Sequence, residues 1–356
     1  MGKDSAFNKE KDRNYRLKLE AMKKDLPVYM YEFLDSKAQR NPNTAVAYAY
    51  DLEMFLEYLK EFNPVAKNQA IKEISMELLD SLTYQDINEY QKYLSAKDVT
   101  VIGEANLQNN ENGIARRLSA LSSFYKYECE RHELNNDPTL GANKPKIKDG
   151  DHVIIRMTPS EVSEFLDTIR NGAIGSNRQQ NLLKKSQYRD LAILTLLLRT
   201  GIRVSECVSL DISDLNFNEN SMCVVRKGGK EHFLYFDEET RTALLDYIQY
   251  ERPSYIENDE EPALFMSLRK KRLAVRSLQE MVQKYAEVAV PNKKLSPHKM
   301  RSTYGTALYN STGDIRLVAD VLGHSDINTT AKHYAASEDA HRRQAAKIDP
   351  YNSDKK

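Results

Sequence analysis

Residues 295–324, LSPHKMRSTYGTALYNSTGDIRLVADVLGH, read as two consecutive helices, and they settle what kind of fold the chain builds. Ser296 is placed to cap the first helix and Pro297 takes its first position, where a missing amide donor costs nothing. His298 and Arg301 are three residues apart on the first turn and so share a face. Free backbone donors and the positive dipole end make a helix N-terminus a good place for an anion, and an imidazole and a guanidinium converge on it here. In the second helix Ile315, Val318, Ala319 and Leu322 form the buried stripe, and Gly323 supplies the stop that leaves His324 just beyond. Taken alone, His324 reads as readily as a cap or a surface residue.

Upstream, the apolar helix YRDLAILTLLLRTG (188–201) ends at Gly201, and TGIRVSE (200–206) starts another helix, so Arg203 sits at a packed corner with Glu206 within reach. On its own this is an arginine bracing a helix junction. SMCVVRKGGKEHFLYF (221–236) reads as two short strands joined around Gly228 and Gly229, with Lys227 and Lys230 at the tip. Such a turn is ordinarily just solvated. A stiff ribbon is also a means of delivering an ammonium into a groove, where it can protonate a departing oxygen.

The 52 Lys and Arg residues balance the 52 Asp and Glu, which excludes a general polycation but not a local basic groove. Cys129, Cys207 and Cys223 are too scattered for a metal knuckle or a disulfide framework, and suit free thiols in a reducing compartment. The first residues lack the apolar run of a secretory signal, and LAILTLLL (191–198) is far short of a membrane span, so a cytoplasmic, nucleoid-associated protein without membrane insertion is expected.

The N-terminal half is helical in period. Leu52, Phe55, Leu56 and Leu59 form one stripe in the helix read from Asn43, and Ile114, Leu118, Leu121 and Tyr125 form another. MELLDSLTYQDINEYQKYLSA (76–96) lies between them with the same period. DPTLGANKPKIKDGDHVIIRM (137–157) then breaks the pattern with prolines, glycines and Lys144, Lys146 and Lys148, as an extended linker does. Thr158, Pro159 and Glu161 restart a helix with a capping box. The expected division is an N-terminal arm (1–26), read as mobile or as a peripheral helix, a helical bundle (27–140), a basic linker (141–157) and a second domain (158–356).

Arg203, a hairpin lysine, HxxR, GH and a following tyrosine, Tyr334, occur in one order over the second domain. Together they resemble the catalytic domain of the tyrosine recombinases, the integrase family of Cre-like, phage and Xer enzymes. TGIRVSE, PHKMRST and LGHSDINTT each match the family's boxes closely. The first domain is similar to the helical core-binding domain of the Xer type. The spacing from His324 to Tyr334 is one position longer than that type most often shows, and Tyr304 and Tyr309 are competing tyrosines that sit where core packing is expected.

The resemblance implies a mainly α protein with a small β-hairpin sheet in the catalytic domain, arranged as a two-domain clamp on double-stranded DNA. It implies a site-specific recombinase that cuts and rejoins DNA through a 3′-phosphotyrosine, with no cofactor. Tyr334 would be the nucleophile, Lys227 the general acid, and His298 an aid to proton transfer. Arg203, Arg301 and His324 would hold the phosphate. Arg116, Arg117, Lys144, Lys146 and Lys148 are expected phosphate contacts of the clamp, although each taken singly also reads as a solvated surface charge. Implied partners are a dif-like chromosomal site, further copies of the chain (a dimer on one site, a tetramer in the synapse) and a septal DNA translocase of the FtsK kind. A mobile-element integrase shares this chemistry; a type IB topoisomerase-like enzyme and an inactive DNA-binding architectural protein are the more distant alternatives.

Overall fold

The computed structural model describes residues 6–67, 69–96, 98–99, 107–108, 111–143, 155–172, 180, 184–226, 229–257, 260–324 and 327–330. Two compact units divide the chain, Ala6–Asp151 and His152–Lys356.

The first unit is a helical bundle of α1 (Ala6–Lys23), α2 (Met30–Arg40), α3 (Pro42–Phe62), α4 (Met76–Ser81), α5 (Tyr84–Ala96) and α6 (Glu111–Glu130). A two-residue antiparallel pair, β1 (Asp98–Val99) with β2 (Leu107–Gln108), lies between the last two helices. The start of α3 is set by Asn41, whose extended backbone and side-chain oxygen take the amides of Asn43 and Thr44, with Pro42 following as the first helical residue. Leu52, Phe55, Leu56 and Leu59 of that helix are buried, together with Ile114, Leu121, Phe124 and Tyr125 of α6, while Leu118 packs at the edge of the same core.

Two details add to the sequence expectation. Over the part described, the arm at 1–26, read as mobile or as a peripheral helix, is a helix that packs along α3, with Leu19 and Leu26 buried and Tyr15 and Met22 against the same core. These four follow a helical spacing, but charged neighbours dilute the pattern. The helical segment 76–96 is broken at Leu82–Thr83, because Asp86 accepts from both the Thr83 amide and its hydroxyl, at 2.7 Å each, and caps a fresh start.

The second unit centres on α8 (Gln187–Thr200), which packs against α7 (Pro159–Asn171), α10 (Glu238–Asp246) and α12 (Pro297–Thr312). Ala192, Ile193, Leu194, Leu196 and Leu197 of α8 are all fully buried, so this helix is apolar around most of its circumference, as a central helix must be. Its N-terminus is held by the Glu251 carboxylate, which accepts from the Tyr188 amide at 2.8 Å and the Tyr255 hydroxyl at 2.7 Å. Thr158 and Glu161 form the expected capping box at the start of α7.

After α9 (Val204–Ser209) comes a three-stranded antiparallel sheet of β3 (Leu215–Asn216), β4 (Ser221–Val225) and β5 (Glu231–Tyr235), in that order. Val225 pairs with Glu231 at the hairpin's far end. The last described elements are α11 (Val275–Ala289), α12, α13 (Ile315–Leu322) and α14 (Ile327–Thr330). This mainly α architecture with a small sheet in the second unit agrees with the sequence reading, which did not contain the short strand β3 or the β1–β2 pair of the first unit. Among the described residues no helix is long and apolar enough to cross a membrane.

Candidate active site

The end of α8 and the end of α13 meet, and glycine is required at both. Gly201 has φ +62° and Gly323 φ +61°, the left-handed region in which a side chain is strained. A Cβ on Gly201 would lie 2.5 Å from Tyr304 Cδ1, and one on Gly323 would lie 1.8 Å from Arg226 Nη1. A methyl group on Gly201 would press on Tyr304 and Leu322, and one on Gly323 would displace the Arg226 guanidinium.

Three consecutive carbonyls at the end of α13 each receive a different guanidinium. Arg226 Nη2 donates to Val321 O at 2.9 Å, Arg301 Nη2 donates to Leu322 O, and Arg203 Nη2 donates to Gly323 O at 2.9 Å. Arg301 also donates through Nη1 to Gly201 O, which ties the two helix ends together. Carbonyls at a helix C-terminus lack intrahelical partners and carry the negative end of the dipole, so cations are favoured there.

The carboxylate of Glu206 balances part of this charge. Its oxygens accept from the Arg203 amide at 3.0 Å and from Arg203 Nη1 at 2.8 Å, and one lies 3.9 Å from Arg226 Nε. The corner brace expected for Arg203 and Glu206 is therefore present, yet 37% of the Arg203 side chain stays exposed. Arg301, by contrast, is 4% exposed. Burial pulls the Arg226 guanidinium below its usual range while Glu206 opposes that shift.

His298 occupies the second position of α12 and is exposed, one turn before Arg301. Ser296 caps that helix by accepting from the Lys299 amide. His324 follows Gly323; its amide donates to Ala319 O at 2.9 Å, and Nδ1 lies 2.8 Å from the buried Thr330 hydroxyl, which orients the ring. Tyr304 and Tyr309 pack against Val318 and Leu322, a structural role for both rings.

Arg203, Arg301 and His324 are thus gathered at one helix end, with His298 on the helix that carries Arg301. Tyr334, Lys227, Lys144, Lys146 and Lys148 lie outside the described residues. Arg116 and Arg117 belong to the bundle, where both face Asp51. Arg116 makes a two-pronged pair with it at 2.6 and 2.7 Å, and Arg117 Nε lies 3.9 Å away. Sequence reasoning did not single out Arg226, whose one signal was its place directly before Lys227. No group of three or more His, Cys, Asp or Glu side chains that could hold a metal ion occurs among the described residues.

Chemically, this is a rigid cluster of cations suited to a phosphodiester. Guanidiniums stay protonated and can hold two oxygens at once, and donors fixed in advance need no reorganisation as charge builds on a phosphorane-like transition state. A helical bundle followed by a catalytic unit with this cluster defines an enzyme acting on a nucleic-acid backbone.

The phage integrase family model matches residues 156–341, and the phage integrase N-terminal SAM-like domain matches residues 29–132. The chain belongs to the tyrosine recombinase family, whose members cleave and rejoin DNA in site-specific recombination. Tyrosine recombinase XerC of Caldanaerobacter subterraneus subsp. tengcongensis is 31% identical over 348 residues, covering 94% of this chain and 90% of that protein. Tyrosine recombinase XerS of Streptococcus agalactiae is 30% identical over 341 residues, covering 88% of this chain and 93% of that one. Among solved structures, XerH bound to a palindromic difH substrate in a post-cleavage complex gives a TM-score of 0.62 at 20% identity, over 87% of this chain and 82% of that chain. That likeness is one of fold.

Proposed function

We propose that this recombinase acts at a dif-like chromosomal site to resolve chromosome dimers at cell division. The observation that carries the reading is similarity along nearly the whole length, bundle and catalytic unit together, to recombinases of the Xer type. In this reading residues 27–140 grip the duplex, 141–157 follow its phosphates and 158–356 carry out strand transfer. The protein works in the cytoplasm on the nucleoid. A dimer binds one site, a tetramer forms the synapse, and a septal translocase of the FtsK kind controls it.

Tyr334 is the nucleophile. Its phenolic oxygen bonds to the scissile phosphorus as the bond to the 5′ oxygen breaks, giving a 3′-phosphotyrosine and a free 5′-hydroxyl. A free tyrosine phenol titrates at about 10, so the Tyr334 proton leaves during attack, assisted by His298, while Lys227 protonates the departing oxygen. Arg203, Arg301 and His324 hold the non-bridging oxygens. The phosphotyrosine keeps the bond energy, and rejoining is the same step reversed. No cofactor enters this scheme.

The test is covalent trapping on a nicked duplex carrying the host chromosome's dif-like site, from which the cut fragment diffuses away. Wild type is expected to leave a denaturation-resistant adduct and Tyr334→Phe none. An adduct that persists in Tyr334→Phe moves the nucleophile to another residue, and no adduct with either protein removes the dif-like site as substrate.

A further inference from the structure

We propose that Arg226 is a positioning residue, which bolts the β4–β5 hairpin to the end of α13 and so sets where the hairpin delivers its proton. The proposal rests on the reading above in which the hairpin lysine Lys227 is the general acid.

Arg226 closes the hairpin with its backbone: its amide donates to Lys230 O at 2.9 Å, and its carbonyl accepts from the Gly229 amide at 3.0 Å. The side chain leaves the sheet altogether. Nη2 reaches Val321 O at 2.9 Å, and Nη1 lies 3.5 Å from Asp320 O. The guanidinium is covered on one side by Gly323, where any Cβ would collide with it, and flanked by Glu206, whose carboxylate also holds Arg203. Only 11% of the side chain is exposed, and Nε is buried without a hydrogen-bond partner.

A surface hairpin has no need to bury a guanidinium, and leaving one of its donors unsatisfied costs stability. What that cost achieves is a fixed distance between the ribbon and the turn carrying Gly323 and His324. One residue therefore touches both the closing backbone of the hairpin and the helix end that holds Arg203 and Arg301. Lys227 is the next residue in the chain. Proton delivery to a leaving oxygen fails steeply with misplacement, at roughly 100-fold per ångström.

The leaving group provides the test. In a duplex whose scissile 5′ oxygen is replaced by sulfur, Tyr334 still bonds to phosphorus and the P–S bond still breaks. The sulfur departs with the electron pair as a thiolate, which takes no proton in the step. Single-turnover cleavage is measured on the oxygen and sulfur duplexes for wild type, Arg226→Leu, Arg226→Lys, Lys227→Ala and Arg203→Ala, with thermal unfolding run on each protein.

Arg226→Leu is expected to cleave the oxygen duplex about 100-fold more slowly and the sulfur duplex within a few-fold of wild type, as Lys227→Ala does. Arg226→Lys, which keeps the charge but loses the fork, falls between, and supplies the comparison if the leucine variant does not fold. Arg203→Ala stays slow on both duplexes. If Lys227→Ala is rescued by sulfur but the Arg226 variants are slow on both duplexes, or normal on both, the positioning role is overturned. If Lys227→Ala is not rescued, the general-acid reading fails and the proposal fails with it.

Discussion

Glu128 shows how far one buried atom can set the behaviour of a domain. It lies on α6 facing the bundle core, 3% exposed, with Oε1 buried and without a hydrogen-bond partner. Burial pushes its carboxyl up to about 7, with Arg131 opposing and Glu32 and Glu133 adding to the shift. The sign follows from linkage. Folding favours the protonated acid, so stability is highest below the unfolded value near 4.5, falls as pH rises towards 7, and stays low above it. The deficit above pH 7 is on the order of 3 kcal/mol. Glu128→Gln should therefore stabilise the bundle by about 2 to 3 kcal/mol at pH 8 and by almost nothing at pH 4, and calorimetry across that range checks it. A constant difference at both pH values would show that the carboxyl titrates alike in the folded and unfolded chain, with no upward shift from burial.

Gly201 makes a second case at this scale. Gly201→Ala should cost about 2 to 4 kcal/mol from left-handed strain and the displaced Tyr304 ring. Adduct formation should drop further than stability does, because the Gly201 carbonyl anchors Arg301. Equal losses in melting temperature and adduct yield would argue against that anchoring role. The glycine stop was legible in the sequence from its neighbours. The use of its carbonyl as a guanidinium acceptor was not, since that depends on two helix ends that are far apart in the chain.

Local chemistry at helix ends was the most readable level of the sequence, as the capping box at Thr158 and the Ser296–Pro297 start show. Patterns diluted by charge were not: α1 offers only Tyr15, Leu19 and Met22 to the core over its length, and the second start at Thr83 interrupts a period that continues through it. The Asp51 pairing between α3 and α6 belongs to this scale. Arg116 and Arg117 were legible as cations but not as partners of a carboxylate in a distant helix. Asp51 is almost fully buried and its carboxyl is pushed up by that burial against the pull of Arg116 and Arg117. Asp51→Ala should destabilise the α3–α6 contact by about 1 to 3 kcal/mol, below the usual cost of breaking a buried pair because Arg116 is half exposed. Hydrogen exchange should quicken in α3 and α6 and stay unchanged in α8. Unchanged protection in α3 would mean that aromatic and aliphatic packing alone hold the two helices.

At the scale of the whole molecule, 52 basic and 52 acidic residues leave no net charge to draw DNA from a distance, so affinity must come from local groups. In the bundle, Asp51 already neutralises part of the Arg116–Arg117 charge. That shifts the expected electrostatic grip towards Lys144, Lys146 and Lys148, three cations within five residues of sequence in the stretch read as a basic linker. Each lysine that meets a phosphate releases about 0.9 of a counterion from duplex DNA on binding. Replacing all three with glutamine should therefore lower the slope of log affinity against log salt by roughly 2.7, and weaken specific and non-specific duplexes to a similar degree. Binding isotherms at several salt concentrations read that slope directly. A loss confined to the specific site would mean that these lysines read DNA shape or sequence, and an unchanged slope would place the phosphate contacts on the two units themselves.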